Sequence, residues 1–199
     1  MVSPRIIVNR SFSYDQYFDL VKEQSEKNLT SGEQTIEHIE ATKLNYHRMK
    51  RLNKQVEIND KLNQLVKKID INQTWLILAE TWCGDGAQTI PVISKIASLN
   101  PKIDMKIIFR DENPDLMNKY LTNGTRSVPK LICSENESGK VIGTWGPRPE
   151  GIKQKAEKFK FENPRFATDE FKKQLHLWYA QDRGDSVQYD FLIFLNRQF

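Results

Sequence analysis

Apolar residues recur at helical spacing through residues 1–72. Tyr14, Tyr17, Phe18 and Val21 fall on one face, and Leu62, Leu65, Val66 and Ile69 on another. Ile36, Ile39, Tyr46, Met49 and Leu52 trace a less regular stripe between them. Ser13-x-x-Gln16 and Ser31-x-x-Gln34 have capping-box spacing, in which a hydroxyl and an amide satisfy helix-start N–H groups, and Asn59 can cap a third helix. Three amphipathic helices are therefore expected, each needing a core to cover its apolar face.

At Thr74 the period changes. TWLILA is a continuous apolar run of strand length, which suits a strand buried on both faces. A turn follows at ETWCGDG, then AQTIPVISKIASL reads as a helix with Ile90, Ile93, Ile96, Ala97 and Leu99 inward. Ile103 to Phe109 is a second strand, and Asn113-Pro114 opens a short helix with Asn as cap and Pro at the first position. VPKLIC and KVIGTW are two more strands, joined by a turn containing Gly139. After Pro147 and Pro149 a helix runs from Gly151, breaks at Asn163-Pro164, and resumes from a cap at Thr168 or Asp169 through Tyr179; Val187 to Phe194 reads as a last docking helix.

This order predicts an α/β fold with a mixed sheet between helices. The first two strands are parallel through a right-handed crossover, and the last two antiparallel. Residues 1–72 form a helical N-terminal extension, 73–162 the central domain and 163–199 a C-terminal helical extension, packed as one compact unit.

Composition narrows the classes. The chain is 38% hydrophobic and 28% charged, ordinary for a soluble protein, with no run of about 18 apolar residues and no signal-type apolar segment at its start. A cytoplasmic location and no membrane partner are expected. Thirty Lys and Arg against 26 Asp and Glu is too slight an excess to argue for nucleic acid, and the basic run His47 to Lys54 reads as a solvated helix end. Lys153, Lys155, Lys158 and Lys160 read as a solvated helix face. His38, His47 and His176 lack metal-ligand spacing and read as surface or helix-end residues, so no metal is expected. Two cysteines, Cys83 and Cys133, make no disulfide framework and suit a reducing compartment.

The chemistry concentrates in ETWCGDGAQTIP. Cys83 stands at a helix start, where free N–H groups and the dipole favour thiolate by about 0.3–2 kcal/mol. Asp85 opposes that by roughly 1–4 kcal/mol if its charge is about 4 Å away. Spacing leaves the sign of the net effect open. Cys133 lies four residues past Pro129, roughly 13 Å along a strand, whereas a disulfide tolerates Cα atoms to only about 7 Å apart, so the two cysteines cannot pair if Cys83 packs at Pro129. Cys133 is therefore read as a buried strand thiol.

Several motifs in order resemble the thioredoxin family. TWLILAETWCGDGAQTIPVISKIA is similar to its strand, Trp-Cys-Gly turn and proline-kinked helix, with Pro91 at the kink. FRDENPDLMNKY and TRSVPKLI resemble its Asp-x-Asn-Pro segment and its Arg-x-Val-Pro loop. The resemblance spans about Thr74 to Ile152 and implies a thioredoxin-like three-layer fold, with the extensions similar to those of bacterial cytosolic members.

That likeness implies a cis Val128-Pro129 peptide against Cys83, and a partner groove formed by Trp82, Gly84, Asp85, Gly86, Val128 and Pro129. Trp145 and Gly146 of GTWGPRP join that groove as the resemblance draws it. Trp82 is either a partner contact or a lid on the helix end. The chain departs from the family at Gly86, in place of the resolving cysteine, at Asp85, in place of proline, and at Ile77, in place of a buried acid.

Two functions follow. One is a single-cysteine thiol-disulfide oxidoreductase, with Cys83 catalytic on a protein disulfide or thiol and an external thiol such as glutathione as resolver, without a bound cofactor. The other is a non-catalytic protein-binding module. An iron–sulfur or glutathione-bound dimer of the single-cysteine glutaredoxin kind is disfavoured, because Asp85-Gly86 replaces the Phe-Ser of that motif.

Overall fold

The computed structural model describes residues 10–165 and 168–198. Three helices come first: α1 (Tyr14–Lys27), α2 (Ile36–Gln55) and α3 (Asp60–Val66). Ser13 and Gln16 form the reciprocal cap expected of them, Ser13 Oγ accepting from Gln16 N–H at 3.2 Å and Gln16 Oε1 from Ser13 N–H at 2.9 Å. Asn59 Oδ1 likewise accepts from Leu62 N–H at 2.9 Å.

The second cap differs from the expectation. Thr35, not Ser31, caps α2, its hydroxyl accepting from His38 N–H at 3.1 Å. Ser31 is buried and its hydroxyl donates to the Glu80 carboxylate, while Gln34 turns back to Thr30. A hydrogen bond to a buried carboxylate is stronger than one to a helix-end amide that water can reach. The long-range partner therefore takes the hydroxyl.

The sheet contains β1 (Gln73–Ala79), β2 (Ile103–Phe109), β3 (Lys130–Glu135) and β4 (Val141–Trp145), in the order β2-β1-β3-β4. β1 and β2 are parallel, β3 is antiparallel to β1, and β4 is antiparallel to β3. As the central strand, β1 buries every residue but Thr74, which is why its sequence runs apolar without alternation.

Successive side chains of β1 enter two different cores. Trp75, Ile77 and Ala79 join the larger one with residues of α1, α2 and α3, of α4 (Gly84–Ala97) and of α8 (Asp185–Asn196). Leu76 and Leu78 join the smaller one with Cys83, Val128 and Met117, the last from α5 (Pro114–Lys119). Helices thus cover both faces, and the larger core is continuous from Tyr17 to Leu195. Within it the Phe191 ring packs against Trp75 at 5.3 Å and Trp145 at 5.6 Å between centroids.

At α5 the cap expectation is half met. Pro114 opens the helix, but the Asn113 side chain makes no cap bond and donates to the Phe109 carbonyl at 2.8 Å, closing the end of β2 instead. Before α8 come α6 (Glu150–Glu162) and α7 (Thr168–Asp182), which share a satellite cluster of Ile152, Ala156, Leu175 and Tyr179. Thr168 is already helical, and the residue that would cap α7 lies outside the described residues. Among the described residues no helix is long and apolar enough to cross a membrane.

Candidate functional site

The strand-to-helix turn after β1 sets the site. Cys83 is the residue at the N-terminal cap of α4, and its Sγ accepts from Gly86 N–H at 3.4 Å while its S–H donates to the Val128 carbonyl at 3.2 Å. Only 7% of Cys83 is exposed. Burial first and the Asp85 charge second push its pKa up to about 12, against the smaller opposing pull of two backbone amides and Arg148. The sign left open by spacing is therefore upward. Desolvation, which spacing cannot show, decides it.

Asp85 has a structural partner set. Arg148 Nε donates to both of its carboxylate oxygens at 2.9 Å, and the Tyr179 hydroxyl donates to Oδ1 at 2.8 Å. Arg148 comes from the loop after β4 and Tyr179 from α7, so Asp85 ties the C-terminal helices to the start of α4. Gly84 has a related reason. A Cβ there would stand 2.5 Å from Cε1 of His176, whose ring on α7 packs against the first turn of α4.

His176 corrects the surface reading of the histidines. It lines the site, its Nδ1 lies 3.4 Å from Gln88 Nε2, and burial together with Arg48, Arg148 and Arg51 pushes its pKa down to about 3. The ring is neutral across the physiological range. His38 also lies at the site, stacked on Trp82 at 4.5 Å with the rings 8° apart, whereas His47 is exposed as expected. Trp82 is held on another side by the Arg110 guanidinium, 5.1 Å from its ring centre. Its indole N–H is buried and unpartnered, while the residue also lines the cavity. Among the described residues no His, Cys, Asp and Glu group could hold a metal ion.

The Val128–Pro129 and Gly146–Pro147 peptides are both cis. Gly146 has φ of +106°, and a Cβ there would overlap the Pro129 carbonyl oxygen. Trp145 points into the large core, where its N–H donates to Asp190 Oδ2 at 2.8 Å. Of the residues singled out by sequence, Trp82, Cys83, Gly84, Asp85 and Val128 line a cavity of about 660 Å³. Gly86, Pro129, Trp145 and Gly146 do not line it.

Both extensions wall this cavity, through His38, Ala41 and Arg48 of α2 and Lys172, Leu175 and His176 of α7. They meet in the Lys172–Glu37 ion pair at 2.6 Å. Sequence reasoning passed over Arg110, Arg126, Arg148, Tyr179 and Glu80, and it read Arg48 within a solvated helix end, whereas Arg48 is partly buried and lines the cavity. Only Glu80 carried a signal, as a charge at the end of an unbroken apolar run. It is buried, accepts from Ser31 Oγ and from Asp111 N–H, and burial raises its pKa.

Cys133 is fully buried in the larger core, on the sheet face opposite Cys83, and its S–H donates to Gln73 Oε1 at 3.3 Å. Burial also pushes its pKa up to about 12. Ile77, at the position of the family's buried acid, is fully buried.

A family model described as thioredoxin matches residues 32–160. A comparison with curated proteins finds no match. Among solved structures, a protein of unknown function from Pseudomonas aeruginosa aligns with a TM-score of 0.60 at 16% identity, covering 94% of this chain and 99% of that one. An HIV epitope-scaffold aligns with a TM-score of 0.57 at 16% identity, covering 93% of this chain and 98% of its own. At this identity both likenesses speak for the fold alone.

Proposed function

Because the chain belongs to the thioredoxin family, we propose that it uses that scaffold as a binding protein, holding a ligand over Cys83 without turning over disulfides. The observation that carries this reading is the state of Cys83, a buried thiol donating to the Val128 carbonyl with its pKa pushed up to about 12. Thiol-disulfide exchange requires the thiolate, a few per cent of a free cysteine at pH 7 and about 10⁻⁵ of one titrating near 12. No second thiol assists. Gly86 stands at the resolving position and Cys133 is on the other face of the sheet. Two free, buried thiols suit a reducing, cytoplasmic setting.

A second reading draws on the charges around the thiol. Arg148 and the Gly86 N–H both favour thiolate, so a substrate that displaced the S–H from Val128 would find a polarised sulfur. The thiolate would attack a protein disulfide, forming a mixed disulfide and releasing one thiol. Glutathione would then attack that bond, returning Cys83 and leaving as the new disulfide partner.

A disulfide-reduction assay with dithiothreitol, and separately with glutathione, divides the two. The binding reading expects wild type and Cys83→Ser to give the same background rate in both. A rate that depends on Cys83 would establish the oxidoreductase instead. Gly86→Cys supplies the missing thiol. A Cβ at position 86 lies 3.7 Å from the Cys83 Cβ, inside the roughly 3.5–4.5 Å of real disulfides. On mild oxidation this variant should lose both thiols to alkylation, read by mass, and wild type should not.

A further inference from the structure

We infer that the cavity over Cys83 is a site for a small organic oxyanion, a carboxylate or a phosphate ester, gripped by Arg48 and Arg126. The inference names the ligand class for the binding reading above and rests on it. Three of the five cations lining the cavity are already matched: Arg148 by Asp85, Lys172 by Glu37, and Arg110 by Asp111 at 2.8 Å. Arg48 and Arg126 have no ion pair among the described residues. Arg48 Nη1 donates to Asn45 Oδ1 at 2.7 Å, and Arg126 Nε to Asn118 Oδ1 at 2.9 Å. Both acceptors are neutral amides, so two guanidiniums line one cavity without an ion pair of their own; the Asp85 charge that acts on Arg48 is held directly by Arg148.

Arg48 is also held in place. Asn45 is buried and its own amide donates to the Thr81 carbonyl at 2.8 Å, which fixes the oxygen that receives the guanidinium. Burial and the neighbouring Arg51 push the Arg48 pKa down to about 10, the mark of a cation held away from water and beside its like. An entering oxyanion would relieve both costs. Nη1 stands 3.7 Å from where a Cβ on Gly84 would be, so it shares the start of α4, where the helix dipole adds to the positive field.

The Asp85 carboxylate on that same turn is already bound by Arg148 and Tyr179, leaving the free guanidiniums to the ligand. Guanidinium geometry matches carboxylate and phosphate oxygens in pairs. Ala41, Val128 and Leu175 offer apolar wall for a carbon skeleton, and a cavity of about 660 Å³ has the size of a small-molecule site.

The test is thermal melting and calorimetric titration of the full chain with inorganic phosphate and, separately, succinate, at ionic strength held constant with sodium chloride. Saturable binding of at least one probe is expected. Arg48→Gln and Arg126→Gln should each weaken it at least tenfold, and Lys106→Gln, at an exposed Asp104 pair, should not. Phosphate without succinate binding would assign the phosphate source, and the reverse the carboxylate. On wild type alone, saturation should slow iodoacetamide modification of Cys83 several-fold, which needs no variant to fold.

Absence of saturable binding by either probe overturns the inference, as does binding that survives in both arginine variants. Cys83-dependent turnover alongside intact anion binding would overturn only the binding reading. Lack of anion binding with no turnover would overturn only this one.

Discussion

At pH 8 Cys83 should react with iodoacetamide about a thousandfold more slowly than an unhindered cysteine of pKa near 8.5. Its pKa is pushed up to about 12, burial being the larger cause and the Asp85 charge the next. Asp85→Asn removes that charge and leaves Arg148 without its carboxylate, so the variant should react at least tenfold faster than wild type. A neutral amide also weakens the bond from the Tyr179 hydroxyl, which loosens α7 and opens access. A pH profile separates the two, because a lower pKa moves the midpoint whereas access raises the rate equally at every pH.

The same shift sets a stability trend. The folded-state pKa lies above the ordinary 9.0, so the folded chain holds this proton more tightly than the unfolded chain. That contribution is fully present below about pH 9 and is lost as pH rises toward 12, at about 1.4 kcal/mol per pH unit for each such thiol. Cys133 acts in the same direction over the same window. Urea midpoints at pH 8 and pH 10.5 should differ clearly in wild type and less in Cys83→Ser. Modification of Cys83 at the rate of a free thiol would sink the argument.

Gly146→Ala should lower stability by roughly 3–5 kcal/mol, a large part of the roughly 5–15 kcal/mol typical of a domain. Two costs combine at this position. The backbone has φ of +106°, which a residue with a Cβ adopts only under strain, and the added atom would overlap the carbonyl oxygen of Pro129. That oxygen belongs to backbone, so no side-chain rotation relieves the contact. Any shift must move either the end of β4 or the loop that receives the Cys83 thiol. Chemical denaturation measures the loss, and a wild-type midpoint would mean the two backbones do not approach so closely.

The legible parts of this protein are those that neighbours in sequence control. Ser13 and Asn59 cap their helices because the groups they bond are three residues away. The apolar run of β1 announces a strand buried on both faces, and the Trp-Cys-Gly turn announces the thiol at a helix start. An expected cap fails where another group competes for it. Ser31 turns to Glu80, 49 positions away and invisible to local spacing, while Asn113 turns four residues back to the carbonyl that ends β2.

The cavity is the larger case of the same rule. Asp85 meets Arg148 63 positions away and Tyr179 94 positions away, and His176 reaches the first turn of α4 from the last third of the chain. Sequence by itself determined that a single thiol stands at the start of a helix beside a buried strand, with Gly86 where a resolving cysteine would stand. Only the tertiary structure decided what state that thiol is in. Protonation follows from desolvation and from every charge packed around the sulfur, and those are brought together by elements that share no local pattern.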